Sequence, residues 1–285
     1  ILKTIAEQEQ LTPELKSRIE NCFDAVELED IYLPYKPKKR TRATIAREKG
    51  LEPLAKIMMK QLERSLESRA ASFLNDQVTS VEDALAGARD IVAEWISESE
   101  KARNIVRRGF EQDAVIYSKV IKGKEEEAAK YRDYFDWKEP LRKCASHRLL
   151  AMRRGENEGF LRVSIEPDED KILLHLNRFF VTGLNCCADH VEMAVKDSLK
   201  RLIQPSIETE FAALSKEKAD EEAIRVFAEN IRQLLLAPPL GQKRVLAIDP
   251  GFRTGCKVVC LDEQGNLLHN ETIYPHKPQE DFKMS

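Results

Sequence analysis

The residues whose placement most resembles a reaction centre lie in VLAIDPGFRTG, residues 245–255, where Asp249 closes an apolar run and Pro250-Gly251 opens a turn. A carboxylate at a strand end is where a metal-dependent nuclease holds its first cation, and it is equally an ordinary turn residue. Two-metal hydrolysis needs several carboxylates on different elements, because the attacking and leaving oxygens must be stabilised together. Asp262 ends the next apolar run but leads into a turn sequence with no obvious partner. A single aspartate cannot hold a pair of ions, so no catalytic residue is assigned.

Cys187 and His190 have the spacing of two zinc ligands, but a structural zinc site needs four and no second matched pair exists. The six cysteines, Cys22, Cys144, Cys186, Cys187, Cys256 and Cys260, form no C-x-x-C pair, and adjacent Cys186 and Cys187 do not bridge easily. They read as reduced thiols of a cytoplasmic protein, and neither a metal nor a cofactor is expected. No apolar run approaches 18 residues, so no membrane contact is expected. The opening, ILKTIAEQEQ, is already helical in pattern, as in a piece excised from a longer chain.

Binding chemistry is better represented. With 46 Lys and Arg against 49 Asp and Glu the net charge is −3, so affinity for nucleic acid must come from a local patch. YLPYKPKKRTRATIAREKG, residues 32–50, supplies one: Lys36, Lys38, Lys39, Arg40, Arg42, Arg47 and Lys49 stand against the single Glu48. Clustered Lys and Arg neutralise phosphates, and Tyr32 and Tyr35 have rings that stack on bases. The competing reading is a solvated face, or internal pairing with Glu27, Glu29 and Asp30 just upstream. A second basic face, with Arg142, Lys143, His147, Arg153 and Arg154, is open to the same two readings, Glu156 and Glu158 being the internal partners.

The elements that must position these residues are mostly helical: a third of the residues are charged and glycine is scarce, at 11. Residues 1 to about 110 read as helix. Val81, Ala84, Leu85, Ala88, Val92 and Trp95 form an apolar stripe after Ser80, an N-cap with Asp83 three residues on. In the basic segment, Pro34 and Pro37 keep the entry extended, Thr41 caps a short helix over 42–49, and Gly50 closes it in left-handed geometry. With the helix from Leu51 this makes a helix, tight turn and helix, whose basic N-terminus opposes the macrodipole unless an anion visits.

A strand is expected at DAVIYSKVIKG (113–123), a helix from Lys138 to Arg154 with Leu141, Ala145, Leu149 and Met152 on one face, and a strand at GFLRVSI (159–165). A helical tract follows from about Cys186 to Leu236, broken or bent near Pro205, with Ile224, Phe227, Ile231 and Leu234 on one face. Pro238-Pro239 stops it. Three strands then follow, the first two joined by Asp249–Gly255 and the last two by a turn at Glu263–Asn266; a strand and hairpin opening a new unit is how an α/β domain begins.

LEDIYLPYKPKKRTRATIAREKGLEPLA, HRLLAMRRGENEGFLRVSI, PSIETE, DEEAIRVFAENIRQLLLAPPLG and KRVLAIDPGFRTGCKVVCLD together resemble the bacterial Tex family of transcription accessory proteins. The resemblance implies a mainly α, multi-module helical scaffold with helix-turn-helix elements, followed by the first strands of an RNase H-like α/β domain. It implies an N-terminal helical region over 1–122 with the basic segment, a central helical region over 123–241, and the start of a YqgF-type domain over 242–285. It further implies nucleic-acid binding in the service of transcription. The first reading is then a non-catalytic scaffold that binds RNA or DNA through its basic patches, with no small-molecule substrate; the alternatives are a metal-dependent nuclease whose site is completed only in the full-length protein, and a protein-interaction scaffold of the transcription machinery. The strand and helix that would carry the remaining carboxylates of an RNase H-like site are then absent from these residues.

Overall fold

The computed structural model describes residues 1–251 and 255–275, and in them twelve α-helices and two three-stranded sheets. Eight helices come first: α1 Leu2–Glu7, α2 Pro13–Glu20, α3 Ala25–Tyr32, α4 Arg42–Glu48, α5 Glu52–Lys60, α6 Leu66–Ala71, α7 Val81–Ser97 and α8 Glu100–Asp113. They are followed by β1 Val115–Val120, β2 Asp136–Pro140, α9 Ser146–Asn157, β3 Leu161–Glu166, α10 Glu169–Phe180, α11 Cys186–Asp197 and α12 Gln204–Leu235. Strands β4 Val245–Asp249, β5 Cys256–Leu261 and β6 Leu267–Ile273 close the series. The chain is thus mainly helical, and it divides into two compact units, Ile1–Ile224 and Arg225–Ser285.

The first unit is organised on α7. Ser80 accepts the Asp83 amide at 3.1 Å and starts the helix, and Ala84, Leu85, Ala88, Ile91 and Val92 are buried along it. Each larger aliphatic side chain so buried contributes roughly 1.5–3 kcal/mol. Helices α4, α5, α6 and α11 pack around α7. At Gly87 a Cβ would stand 2.4 Å from Leu51 Cδ1 and 3.3 Å from Ala46 Cβ, so the bare glycine lets the basic segment's helix lie close. A second, small core of Ile5, Ile19 and Ile31 holds α1 to α3 together.

Charge joins that small core to the rest of the unit. Asp30, 3% exposed, accepts Arg103 Nε at 2.5 Å and both terminal nitrogens of Arg107, whose Nε goes on to Glu210 at 2.7 Å. Arg18 forks onto Glu100 at 2.9 and 2.7 Å.

The first sheet has order β2-β1-β3, all antiparallel, and is assembled from residues on both sides of position 122. Its outermost strand corrects the expected helix from Lys138. Residues 136–140 pair with β1 and alternate exposed and half-buried, and the helix begins only at Ser146, beyond Pro140. Proline supplies no ladder donor, so it ends an edge strand and would have broken a helix at that place. Leu149 and Met152 are buried on α9 as their spacing implied, whereas Leu141 lies in a short 3₁₀ turn. Helix α10, capped by Asp168 and with Ile172, Leu176 and Phe180 buried, is not among the helices expected from the sequence.

Between α11 and α12 the chain winds as a π-helix over Ser198–Ile203, with the Gln204 amide bonded back to Leu199. This irregularity falls where a break or bend was expected near Pro205: the proline has no N–H and crowds the carbonyl four residues earlier, and wider winding just before it relieves both. Along the later part of α12, Ile224 and Phe227 are each 67% exposed and Leu234 71%. Helical spacing is present there without burial.

In the second unit β4-β5-β6 form an antiparallel sheet. The β5–β6 turn is built by Asp262, whose carboxylate accepts the amides of Gln264 and Asn266 and the Asn266 side chain, with Gly265 at φ +84°. Of the expected Asp249–Gly255 connection, Phe252–Thr254 lie outside the described residues.

Candidate nucleic-acid interface

The basic segment is held by its own caps. Thr41 Oγ1 accepts the Thr44 amide at 3.1 Å while Thr44 Oγ1 accepts the Thr41 amide at 2.5 Å, a reciprocal box that starts α4 at Arg42. Gly50, at φ +80°, ends it and turns the chain into α5. Pro34 lies in a 3₁₀ turn over Leu33–Tyr35, after which Lys36 is extended.

Of the seven cations, four are tied to carboxylates. Lys36 meets Glu29 at 2.6 Å, and Arg40 meets Glu48 at 3.3 Å. Arg47 donates to Glu94 at 2.6 Å; Lys38 lies 3.3 Å from the same carboxylate and also pairs with Glu98. Glu94 is buried and also accepts a hydrogen bond from Thr41 Oγ1 at 3.2 Å. Burial pushes the Glu98 carboxyl up, against the pull of Lys38, and the adjoining Glu29 pair raises Lys36. Internal pairing therefore does occur, but its main acceptors are on α7, some fifty residues downstream. Of the three upstream acids, Glu29 takes Lys36, whereas Glu27 faces Arg18 and Asp30 takes Arg103 and Arg107.

Lys39, Arg42 and Lys49 remain. Among the described residues none has a carboxylate within ion-pair distance, although the Arg42 charge is felt by Asp90. Lys39 and Arg42 are exposed and Lys49 half-buried. Tyr32 and Tyr35 are not free platforms; both pack against the Ile5, Ile19 and Ile31 core. On α9, Arg153 pairs with Glu156 at 2.7 Å, and Glu158 takes Lys130 at 2.6 Å. Arg142 and Lys143 lie in the 3₁₀ turn ahead of that helix.

Asp249 ends β4 opposite Lys257 of β5, which faces Thr272 of β6. Strand alternation puts Glu271 on the other side of this sheet, so the face that carries Asp249 has no second carboxylate within the three strands. Asp262 is engaged in its turn. Cys187 Sγ donates to the Glu63 carbonyl at 3.5 Å, and His190 Nδ1 lies 2.9 Å from Arg89 Nη1. A guanidinium only donates, so His190 is a neutral acceptor there with its proton on Nε2. Among the described residues no three His, Cys, Asp or Glu side chains gather as a cation would require, and no helix is long and apolar enough to cross a membrane.

A family model described as Tex central region-like matches residues 61–227, and one for the Tex protein YqgF-like domain matches residues 243–285. Protein YhgF of Escherichia coli is 42% identical over 297 residues, covering 98% of this chain and 38% of its own length. The transcriptional accessory protein Tex of Neisseria gonorrhoeae is 39% identical over 287 residues, covering 97% and 37%. S1 RNA-binding domain-containing protein 1 of Homo sapiens is 28% identical over 273 residues, covering 90% and 27%. The chain spans less than two fifths of the length of these relatives. By the extent of the central-region match and the near-complete coverage by bacterial relatives, the chain belongs to the Tex family.

Proposed function

We propose that this chain is a nucleic-acid-binding scaffold of the Tex type, serving transcription without chemistry of its own. The observation that carries the reading is the division within the basic segment. Four cations are pinned to carboxylates, and Lys39, Arg42 and Lys49 stand unpaired beside them on a chain of net charge −3. Arg42 opens the capped helix α4, with Lys39 just ahead of its N-cap and Lys49 at its C-terminal end, and unpaired cations so placed neutralise phosphates and release their counterions. Lys36, Lys38, Arg40 and Arg47 form a second rank whose carboxylate partners must be exchanged before they reach a backbone.

The names of two relatives, a transcriptional accessory protein and an S1 RNA-binding domain-containing protein, support the same class. Within the three described strands Asp249 is the one carboxylate on its face, and two-metal hydrolysis needs several, which supports the non-catalytic half of the reading. The test is titration of labelled RNA and duplex DNA at several salt concentrations, with the Lys39→Ala/Arg42→Ala/Lys49→Ala variant alongside. Loss of three phosphate contacts should lower the magnitude of the salt slope on duplex DNA by about 2.7. An unchanged affinity and slope would remove the basic segment from the interface.

A further inference from the structure

We infer that the open face of the β2-β1-β3 sheet is a second nucleic-acid site, a stacking platform for an unpaired strand centred on Tyr117. The inference rests on the nucleic-acid reading above but on different residues. Register fixes the arrangement. Tyr117 lies between Lys138 of β2 and Ser164 of β3; one row along, Lys119 lies between Asp136 and Arg162. Residues directly opposite share a face, and i and i+2 share it along a strand, so these side chains all project from one surface.

The other surface is core: Ile116, Val163 and Ile165 are buried there, and Ser118 Oγ donates to the Tyr134 carbonyl at 2.8 Å. The Tyr117 face is the solvated one. Lys119, Lys138 and Arg162 are exposed and Tyr117 is half-exposed. Among the described residues the three cations have no ion-pair partner, and the Tyr117 ring has neither an aromatic nor a cationic neighbour in contact. The two carboxylates of the face occupy diagonally opposite corners, Asp136 beside Lys119 and Glu166 at the far end of β3, where it accepts from Ser164 at 2.9 Å.

A solvated sheet face with a ring at its centre, Lys138 directly opposite it, and Lys119 and Arg162 in the next row about 7 Å along the strands fits one occupant, a single strand whose base stacks on Tyr117 while its phosphates meet the three cations. A duplex hides its base faces and cannot use the ring. Charge selects against an acidic or neutral peptide less sharply than the ring selects for a base, so a protein occupant is an outcome of the test.

Short labelled oligouridylate and oligothymidylate are titrated by anisotropy against the wild-type chain, Tyr117→Ala, Tyr117→Phe and Lys119→Ala/Lys138→Ala/Arg162→Ala. Tyr117→Ala is expected to weaken single-strand binding about tenfold and Tyr117→Phe to retain it. The triple variant should lower the magnitude of the single-strand salt slope by about 2, with duplex binding through Lys39, Arg42 and Lys49 unchanged. An oligonucleotide carrying 5-iodouracil should photo-crosslink to the Tyr117 peptide of the wild-type protein, a readout that a folding defect cannot imitate. Crosslinks confined to other peptides, or Tyr117→Ala binding as wild type while the Lys39/Arg42/Lys49 variant is weakened, overturn the platform and leave the scaffold reading standing. Capture of a protein on this face with no loss of oligonucleotide binding in the variants also overturns it. Absence of any binding to the wild-type chain at low salt sinks both.

Discussion

Arg47 Nη1 donates to Glu94 Oε2 at 2.6 Å, so a cation from the most basic stretch of the chain is turned inward onto a buried carboxylate of α7. Lys38 shares that acceptor at 3.3 Å. Glu94 thus decides how much of the segment's charge faces solvent. In Glu94→Gln the carboxylate charge is gone while a hydrogen-bond acceptor stays; Arg47 loses its closest carboxylate and Lys38 keeps only Glu98, so both are more available to phosphate. Affinity for RNA and duplex DNA should rise and the salt slope steepen, while stability falls by about 1–3 kcal/mol. Anisotropy titrations and thermal melts of the same preparation check the two opposed effects.

The N-terminal helices depend on Asp30. Removing it leaves Arg103, 7% exposed, with only Ser206 at 3.3 Å, and takes one of the two acids from Arg107. Asp30→Ala should cost about 3–5 kcal/mol, the range for an uncompensated buried charge. Limited proteolysis should cut first within residues 1–41, and hydrogen exchange should show α1–α3 opening before α7. Uniform exchange across the first unit would show that the latch is not what holds them.

His190 gives a pH dependence of known sign. Burial and the Arg89 guanidinium hold the imidazole below its ordinary value of 6.5, so the folded chain binds fewer protons than the unfolded chain between the two values. Its contribution is complete above about pH 6.5 and is lost as the pH falls below that value. Melting temperatures measured from pH 7.5 down to pH 5 should fall more steeply for the wild type than for His190→Gln, which accepts from Arg89 without titrating. Parallel curves would contradict the neutral assignment.

Local signals in the chain were legible wherever sequence neighbours decide the outcome. Ser80 and Thr41 cap the helices they were expected to cap, Gly50 takes its left-handed turn, and the β4–β6 strands fall where turn chemistry at Asp262–Asn266 allows. Asp168, with Ile172, Leu176 and Phe180 behind it, supplies a local N-cap and helical spacing for α10 as well. Two classes of feature were not legible. Strand β2 has an alternation only five residues long next to a helical pattern, and its β1 partner, not its own composition, fixes it. The acceptors of Lys38 and Arg47 are brought up by α7 packing on α4 at Gly87, a contact that no local periodicity encodes. Helical spacing at Ile224, Phe227 and Leu234 likewise specified a helix and not its burial.

The most direct measurement of binding without chemistry follows bound fraction and strand integrity together, in labelled RNA and duplex DNA incubated with the chain in Mg²⁺, in Mn²⁺ and in EDTA. Binding should weaken with salt, strands should stay intact in all three conditions, and Asp249→Asn should behave as wild type. Metal-dependent cleavage by the wild-type chain that disappears in Asp249→Asn would contradict the account and make that aspartate a catalytic ligand.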